Sequence, residues 1–208
     1  SPAFKQYCVA YDHPGNALFI PECRSDEASI AKAYWTLAEK KGIGFAPFAV
    51  ELMSEKSSLV EGYRVLDQLM PLILERQGTN KIHGIYRQVN PSKRKIDVGQ
   101  WDFDAGELEM EDNTNTEVTF GNWTFKVQFI ESVKSEAAYG LIIQLSDDEF
   151  VITGKNLQIS QTHKDNSLRA EQLYVQQGDF VDGRWKVRRW LNGDETAHGV
   201  VVSLPTSN

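Results

Sequence analysis

A chain of 208 residues with 29 acidic and 22 basic side chains carries a net charge of −7. That length allows one large domain or two small ones, and the negative balance speaks against a nucleic-acid binder, whose phosphate contacts need clustered Lys and Arg. No apolar run is long enough to span a bilayer, so neither a nucleic-acid nor a membrane partner is expected. The denser basic stretches, Lys93-Arg94-Lys95 and Arg188-Arg189, read as solvated loop or strand charges.

The chain opens with Ser1-Pro2-Ala3-Phe4-Lys5, with no Met and no charged-then-apolar signal pattern, as expected of a processed or excised chain. Asn16 to Pro21 forms a short apolar run that reads as a buried strand. Ser25 before Asp26 and Glu27 predicts a helix start, with Ile30, Ala33, Tyr34, Leu37 and Ala38 on one apolar face and Gly42 beyond its end. Ile43 to Val50 is a second buried-strand run, in which Pro47 predicts a bulge or an irregular end. Ser58 and Glu61 have capping-box spacing. They open a helix with Leu59, Tyr63, Leu66, Met70, Ile73 and Leu74 on its apolar face, a kink or break at Pro71, and an end at Gly78.

Strand, helix, strand, helix implies parallel strands covered by helices. Two strands cannot cover both of their own faces, so residues 1–80 read as a piece of a larger sheet or barrel. Past residue 80 the period becomes two. Candidate strands are 82–88, 117–120, 123–133, 139–144, 149–153, 157–161, 168–176, 184–191 and 199–204. Turn signals stand at Gly121-Asn122, Asp182-Gly183 and Asn192-Gly193. Residues 81–208 therefore read as an antiparallel β-sandwich. The fold class is α/β plus all-β.

Cys8 and Cys23 allow one bridge or two buried thiols and make no disulfide framework. Histidines at 13, 83, 163 and 198 give no metal-ligand spacing. No cofactor is expected.

Three segments carry a resemblance: NALFIPE at 16–22, GFAPFAVE at 44–51, and GDFVDGRWKVRRWLNGDETAHG at 178–199. With them the chain resembles the C-terminal part of glycoside hydrolases similar to family 35 β-galactosidases, in which an uncharacterised β-sandwich follows a (β/α)8 barrel. The resemblance implies that 1–80 are the last strands and helices of the barrel and that Glu22, ending strand seven, is the nucleophile of a retaining β-galactosidase. The acid/base Glu, at the end of strand four, would lie in a barrel portion before Ser1, so the isolated chain is expected to be inactive. The implied partner is a β-galactoside-containing glycan, and a secreted or periplasmic location goes with such an enzyme.

Chemistry supports the placement independently. An apolar strand ending in a carboxylate puts that group at a barrel rim, where catalytic groups of such barrels sit. Retaining hydrolysis needs two carboxyls about 5–5.5 Å apart, one to attack and one to donate and then accept a proton. Glu22 also fits a plainer role as an acid ahead of a helix start. Glu51 ends the second strand and is a candidate substrate-binding residue, or a carboxylate that holds a loop. A Glu22–Glu51 catalytic pair is disfavoured, because the family pattern has its acid elsewhere. Cys23 with His13 as a nucleophile pair has no further support.

Trp35 reads as packing, and Phe45 and Phe48 as core or interlayer contacts. Trp101, Trp123, Trp185 and Trp190 are candidates for a carbohydrate-binding face, although Trp123 and Trp185 fall within strands, where large aromatics build core. Asn122-Trp123-Thr124 matches a glycosylation acceptor, and Asp194-Glu195 reads as a hairpin cap. The alternative to an enzyme fragment is a non-catalytic carbohydrate-binding or structural sandwich module. Residues 1–80 alone are expected to leave strand edges and an apolar face uncovered, so the chain is expected to aggregate or to need the rest of a barrel.

Overall fold

The computed structural model describes residues 4–55, 57–87, 115–130, 137–167 and 169–205. The first part runs α1 (Phe4–Tyr11), β1 (Phe19–Cys23), α2 (Glu27–Glu39), β2 (Gly44–Pro47), a 3-10 turn (Val50–Leu52) and α3 (Ser58–Arg76). Helix α1 was not predicted. It lacks first-turn acids and last-turn bases, and is held from outside its own pattern. The Phe4 ring meets Trp35 and Phe45 edge-on, at 6.2 and 6.4 Å between centroids, and Cys8 is buried.

Both helix caps fall one residue from the predicted position. Asp26, not Ser25, accepts from the Ser29 amide (3.1 Å), and Ser57, not Ser58, accepts from the Val60 amide (3.3 Å). Each site offers two adjacent capping residues. The one used is in extended conformation with its oxygen within reach of the third helical amide. Helix α3 continues through Pro71 without a break. The carbonyl that Pro71 leaves without an amide belongs to Asp67, and both residues are exposed, so water can meet it. Leu74, predicted on the apolar face, is 63% exposed.

The alternating elements do yield parallel pairing. Phe19 stands opposite Gly44, Ile20 opposite Phe45, and Cys23 opposite Pro47, so Pro21 and Glu22 are bulged out of register. Ile20 and Phe45 turn into the core while Phe19 is half exposed.

The rest is sheet-rich: β3 (Ile82–Arg87), β4 (Asn115–Phe120), β5 (Trp123–Phe129), β6 (Ala138–Ser146), β7 (Glu149–Lys155), β8 (Leu157–His163), β9 (Val175–Val181), β10 (Arg184–Leu191) and β11 (Val201–Leu204). A three-stranded sheet in order β3-β6-β7 faces a four-stranded sheet in order β11-β8-β5-β4, and every pairing is antiparallel. This is the expected sandwich-like region.

Strand β6 is the centre of the molecule. Tyr139, Leu141 and Ile143 point to the helices, while Ala138 and Ile142 point to the other sheet. That double burial is why its sequence, AYGLIIQLS, is apolar through six successive residues rather than alternating. Helices α2 and α3 form a third layer on the outer face of β3 and β6. Two close approaches fix them, one between β3 and α2 and one between α3 and α2. A Cβ at Gly84 would lie 2.8 Å from the Trp35 Cα, and one at Gly62 would lie 2.2 Å from Ile30 Cγ1. Residues on both sides of position 80 thus share one apolar cluster. Polar ties reinforce it: Arg76 Nε donates to the Gln144 carbonyl (2.8 Å), and the Lys155 ammonium meets Glu27 (2.5 Å).

The strand predicted at 168–176 lies elsewhere. Strand β9 begins at Val175, because its register is set from the other end. Asp182 (φ +52) and Gly183 (φ +72) form a two-residue turn with both positions left-handed, which fixes Val181 opposite Arg184 and Val175 opposite Leu191. The hairpin β9–β10 joins neither large sheet. Its inner edge is capped by α3, where Gln68 accepts from the Phe180 amide (3.1 Å).

Candidate active site

Glu22 lies at the C-terminal end of β1 with φ +50, in the left-handed region that costs a non-glycine residue about 1–3 kcal/mol. The flanking chain holds it there. The Cys23 thiol donates to the Ala46 carbonyl (3.0 Å), and the Phe48 amide donates to the Cys23 carbonyl (2.8 Å). The bulge lifts Glu22 out of the pairing and leaves it exposed at the strand end. Bulges re-aim side chains in this way beside functional sites.

Glu51 sits in the 3-10 turn after β2 and is also exposed. Ala49 just before it has φ +55. A left-handed residue thus stands near the C-terminal end of each parallel strand: Glu22 one residue before the end of β1, and Ala49 two residues beyond the end of β2. The two candidate carboxylates come to the same end of the pair, but on different supports: Glu22 within the strand, Glu51 in the turn beyond it.

Around them, Tyr63 on α3 donates its hydroxyl to the Phe45 carbonyl (2.6 Å). Burial raises the Tyr63 pKa well above the ordinary phenol range, so it remains a donor that ties helix to strand. Burial likewise pushes the Cys23 thiol up to about 11, and the proximity of Asp26 adds to this. Cys23 is therefore a neutral thiol bonded to a carbonyl, while His13 lies in an exposed turn beside Pro14. Both cysteines are free. Among the described residues no group of three or more His, Cys, Asp and Glu could hold a metal ion.

The aromatic expectations divide. Phe45 is 8% exposed and is core, whereas Phe48 is 65% exposed, at the rim rather than between layers. Trp35 packs between Phe4 and Tyr86, with the Lys5 ammonium over both its own ring and that of Tyr86. An open groove of about 410 Å³ runs beside the strand ends, lined by Pro47, Val50, Met53, Tyr63, Arg64 and Asp67.

In the sandwich, Trp123 is half-buried and donates to Asp148 (2.9 Å). Trp185, expected in the core, is 39% exposed, and Trp190 is 57% exposed. The physical reason is that their hairpin stands outside both large sheets. Trp101 lies outside the described residues. Asn122 is exposed in the β4–β5 turn, and Glu195 closes a capping box on Asn192 while pairing with Arg189 (3.0 Å). Sequence reasoning missed the left-handed residues at both strand ends. The signal available for them was a proline inside each short run, Pro21 and Pro47.

The family described as a domain of unknown function, DUF5597, matches residues 59–203, more than half of the chain. The matched stretch starts in the first turn of α3 and ends in β11, so it includes both sheets and the hairpin but not Glu22 or Glu51. No curated protein matches the chain.

Proposed function

Because this chain belongs to the DUF5597 family, whose description carries no activity, we propose a function from the strand ends that precede the matched stretch: the chain is the C-terminal part of a retaining glycoside hydrolase, similar to family 35 β-galactosidases. In this reading residues 1–80 are the last strands and helices of a (β/α)8 barrel, with β1 and β2 its last two strands, and residues 81–208 are the β-sandwich that follows it. The observation that carries the reading is the parallel β1–β2 pair with Glu22 bulged out and exposed at its C-terminal end.

The chemistry proceeds in two displacements. The Glu22 carboxylate attacks the anomeric carbon of a terminal β-galactoside as the glycosidic bond breaks, and the departing oxygen takes a proton from a second carboxylic acid supplied upstream of residue 1. The same upstream carboxylate then removes a proton from water, which attacks the glycosyl ester and frees Glu22. Glu51 contributes a hydrogen-bond acceptor for a sugar hydroxyl at the same rim. Tyr63 acts by positioning, holding β2 through the Phe45 carbonyl. The exposed strand face around Phe19 and the open strand edges are where further barrel strands would pack.

The test is to incubate the full-length protein with a 2-deoxy-2-fluoro-galactosyl inactivator, digest it and map the added mass. Label on Glu22 is the expected result. Label on Glu51 would move the nucleophile to the next strand. A folded protein that takes no label would leave the chain as a binding or bracing module.

A further inference from the structure

We infer that the β9–β10 hairpin presents an uncharged aromatic platform that binds neutral polysaccharide. The choice of a sugar as occupant rests on the glycosidase reading above.

The hairpin has two unlike faces, and its register separates them. Trp185 stands opposite Phe180, Val187 opposite Gly178, and Trp190 opposite Gln176, which places all six residues on one face. Arg188 is an extra residue without a partner. The bulge sends Arg188 and Arg189 together to the other face, beside Arg184 and Lys186. There Arg188 pairs with Asp179, and Arg189 donates to Gln177 (2.7 Å) and pairs with Glu195. Four cations in an eight-residue strand are thereby kept off the tryptophan face.

That face is fixed as well as exposed. The Trp185 indole donates to the Gln176 side chain (2.9 Å). Its ring lies against Gly178, where an added Cβ would be 2.9 Å from Trp185 Cζ2. It also packs on Phe180 at 5.1 Å, and Phe180 is anchored in the core cluster. Trp190 meets Tyr174 at 5.7 Å, and Tyr174 is 53% exposed. Four ladder steps separate the backbone positions of Trp185 and Trp190, about 13 Å along the strand, and the Trp185 indole extends along that interval over Gly178 to Gln176.

Charge selects the occupant. The platform carries no ionised side chain, so it offers nothing to an anionic glycan, nucleic acid or lipid headgroup. A second copy of the chain would bring another net charge of −7, which opposes close approach. An extended neutral glycan fits, because its apolar ring faces cover indoles and its hydroxyls meet the free end of Gln176 and the Tyr174 hydroxyl.

Affinity electrophoresis of the full-length protein in gels containing neutral galactan, with polygalacturonate as the anionic comparison, tests this. Retardation by galactan alone is expected, weakened roughly tenfold in W190A. Trp190 lies at an exposed site that leaves the Phe180 anchor intact, and W185F serves as a milder second variant. Unchanged retardation in W190A, or equal retardation by polygalacturonate, would overturn the platform. So would sedimentation as a dimer that W190A converts to a monomer, which would place the face between two copies. Absent galactan binding in a protein that still labels at Glu22 would sink the platform alone. Binding with no label would instead sink the glycosidase reading and leave the platform standing.

Discussion

Strands β1 and β6 both begin with apolar residues, and they meet opposite fates. Strand β6 lies between the helix layer and the four-stranded sheet, with Leu141, Ile142 and Ile143 fully buried. Strand β1 has one covered face through Ile20, while Phe19 and Glu22 remain in solvent. Its neighbour β2 holds Phe45 buried, while Ile43 and Phe48, which flank the strand, are exposed. An apolar strand run therefore states that a face is to be covered, not by what. In β6 the covering comes from within this chain. In β1 and β2 it comes only on the helix side, and the bulge at Glu22 sits on the side left open.

Four tests, the second a pair of substitutions read against each other, would break or sharpen that contrast, from the largest effect to the smallest. Glu22→Gln in the full-length protein is expected to lower turnover of an aryl β-galactoside on the order of a thousandfold or more while leaving the melting temperature unchanged. Retained turnover would return Glu22 to the plainer role of an acid before a helix. Ile142→Ala is expected to cost about 3–4 kcal/mol in denaturant unfolding, because a fully buried side chain between two layers cannot be replaced by collapse. Phe48→Ala should stay within about 0.5 kcal/mol of the parent. Equal costs for the two would mean that the open strand face is covered after all.

Gly62→Ala places a methyl 2.2 Å from Ile30 Cγ1 and is expected to push α3 off α2, at about 1–3 kcal/mol. Loss of the Tyr63 contact to β2, seen as faster amide exchange at Phe48, would show that the helix spacing sets the strand end. Cys23 supplies the mildest test. Its thiol is raised from 9.0 to about 11 in the folded state. The unfolded chain therefore holds fewer protons than the folded one between those values, so stability is fully present below pH 9 and declines as pH rises toward 11. Alkylation of Cys23 should be slow at pH 8 in the native protein. Rapid alkylation there would mean that the bond to the Ala46 carbonyl opens readily.

The sequence alone determined much of this architecture. Alternation of strand and helix before residue 80 dictated parallel pairing, and period two with Asp182-Gly183 dictated an antiparallel hairpin, because these are local consequences of side-chain spacing and backbone torsion. Glu22 was singled out through the family resemblance, to which the local pattern of an apolar strand ending in a carboxylate added support. Its left-handed backbone could not be read in the same way, since it depends on bonds from Cys23 and Phe48 to a neighbouring strand. Trp185 and Trp190 were misread as core or left undecided for a related reason. Large aromatics within strands usually build core, and only the tertiary structure decides that the β9–β10 hairpin pairs with neither sheet. The same holds for the helix layer: spacing fixes which face of α2 and α3 is apolar, but tertiary structure decides what covers it, with Gly84 letting β3 approach the α2 backbone and Gly62 leaving room on α3 for the Ile30 side chain of α2.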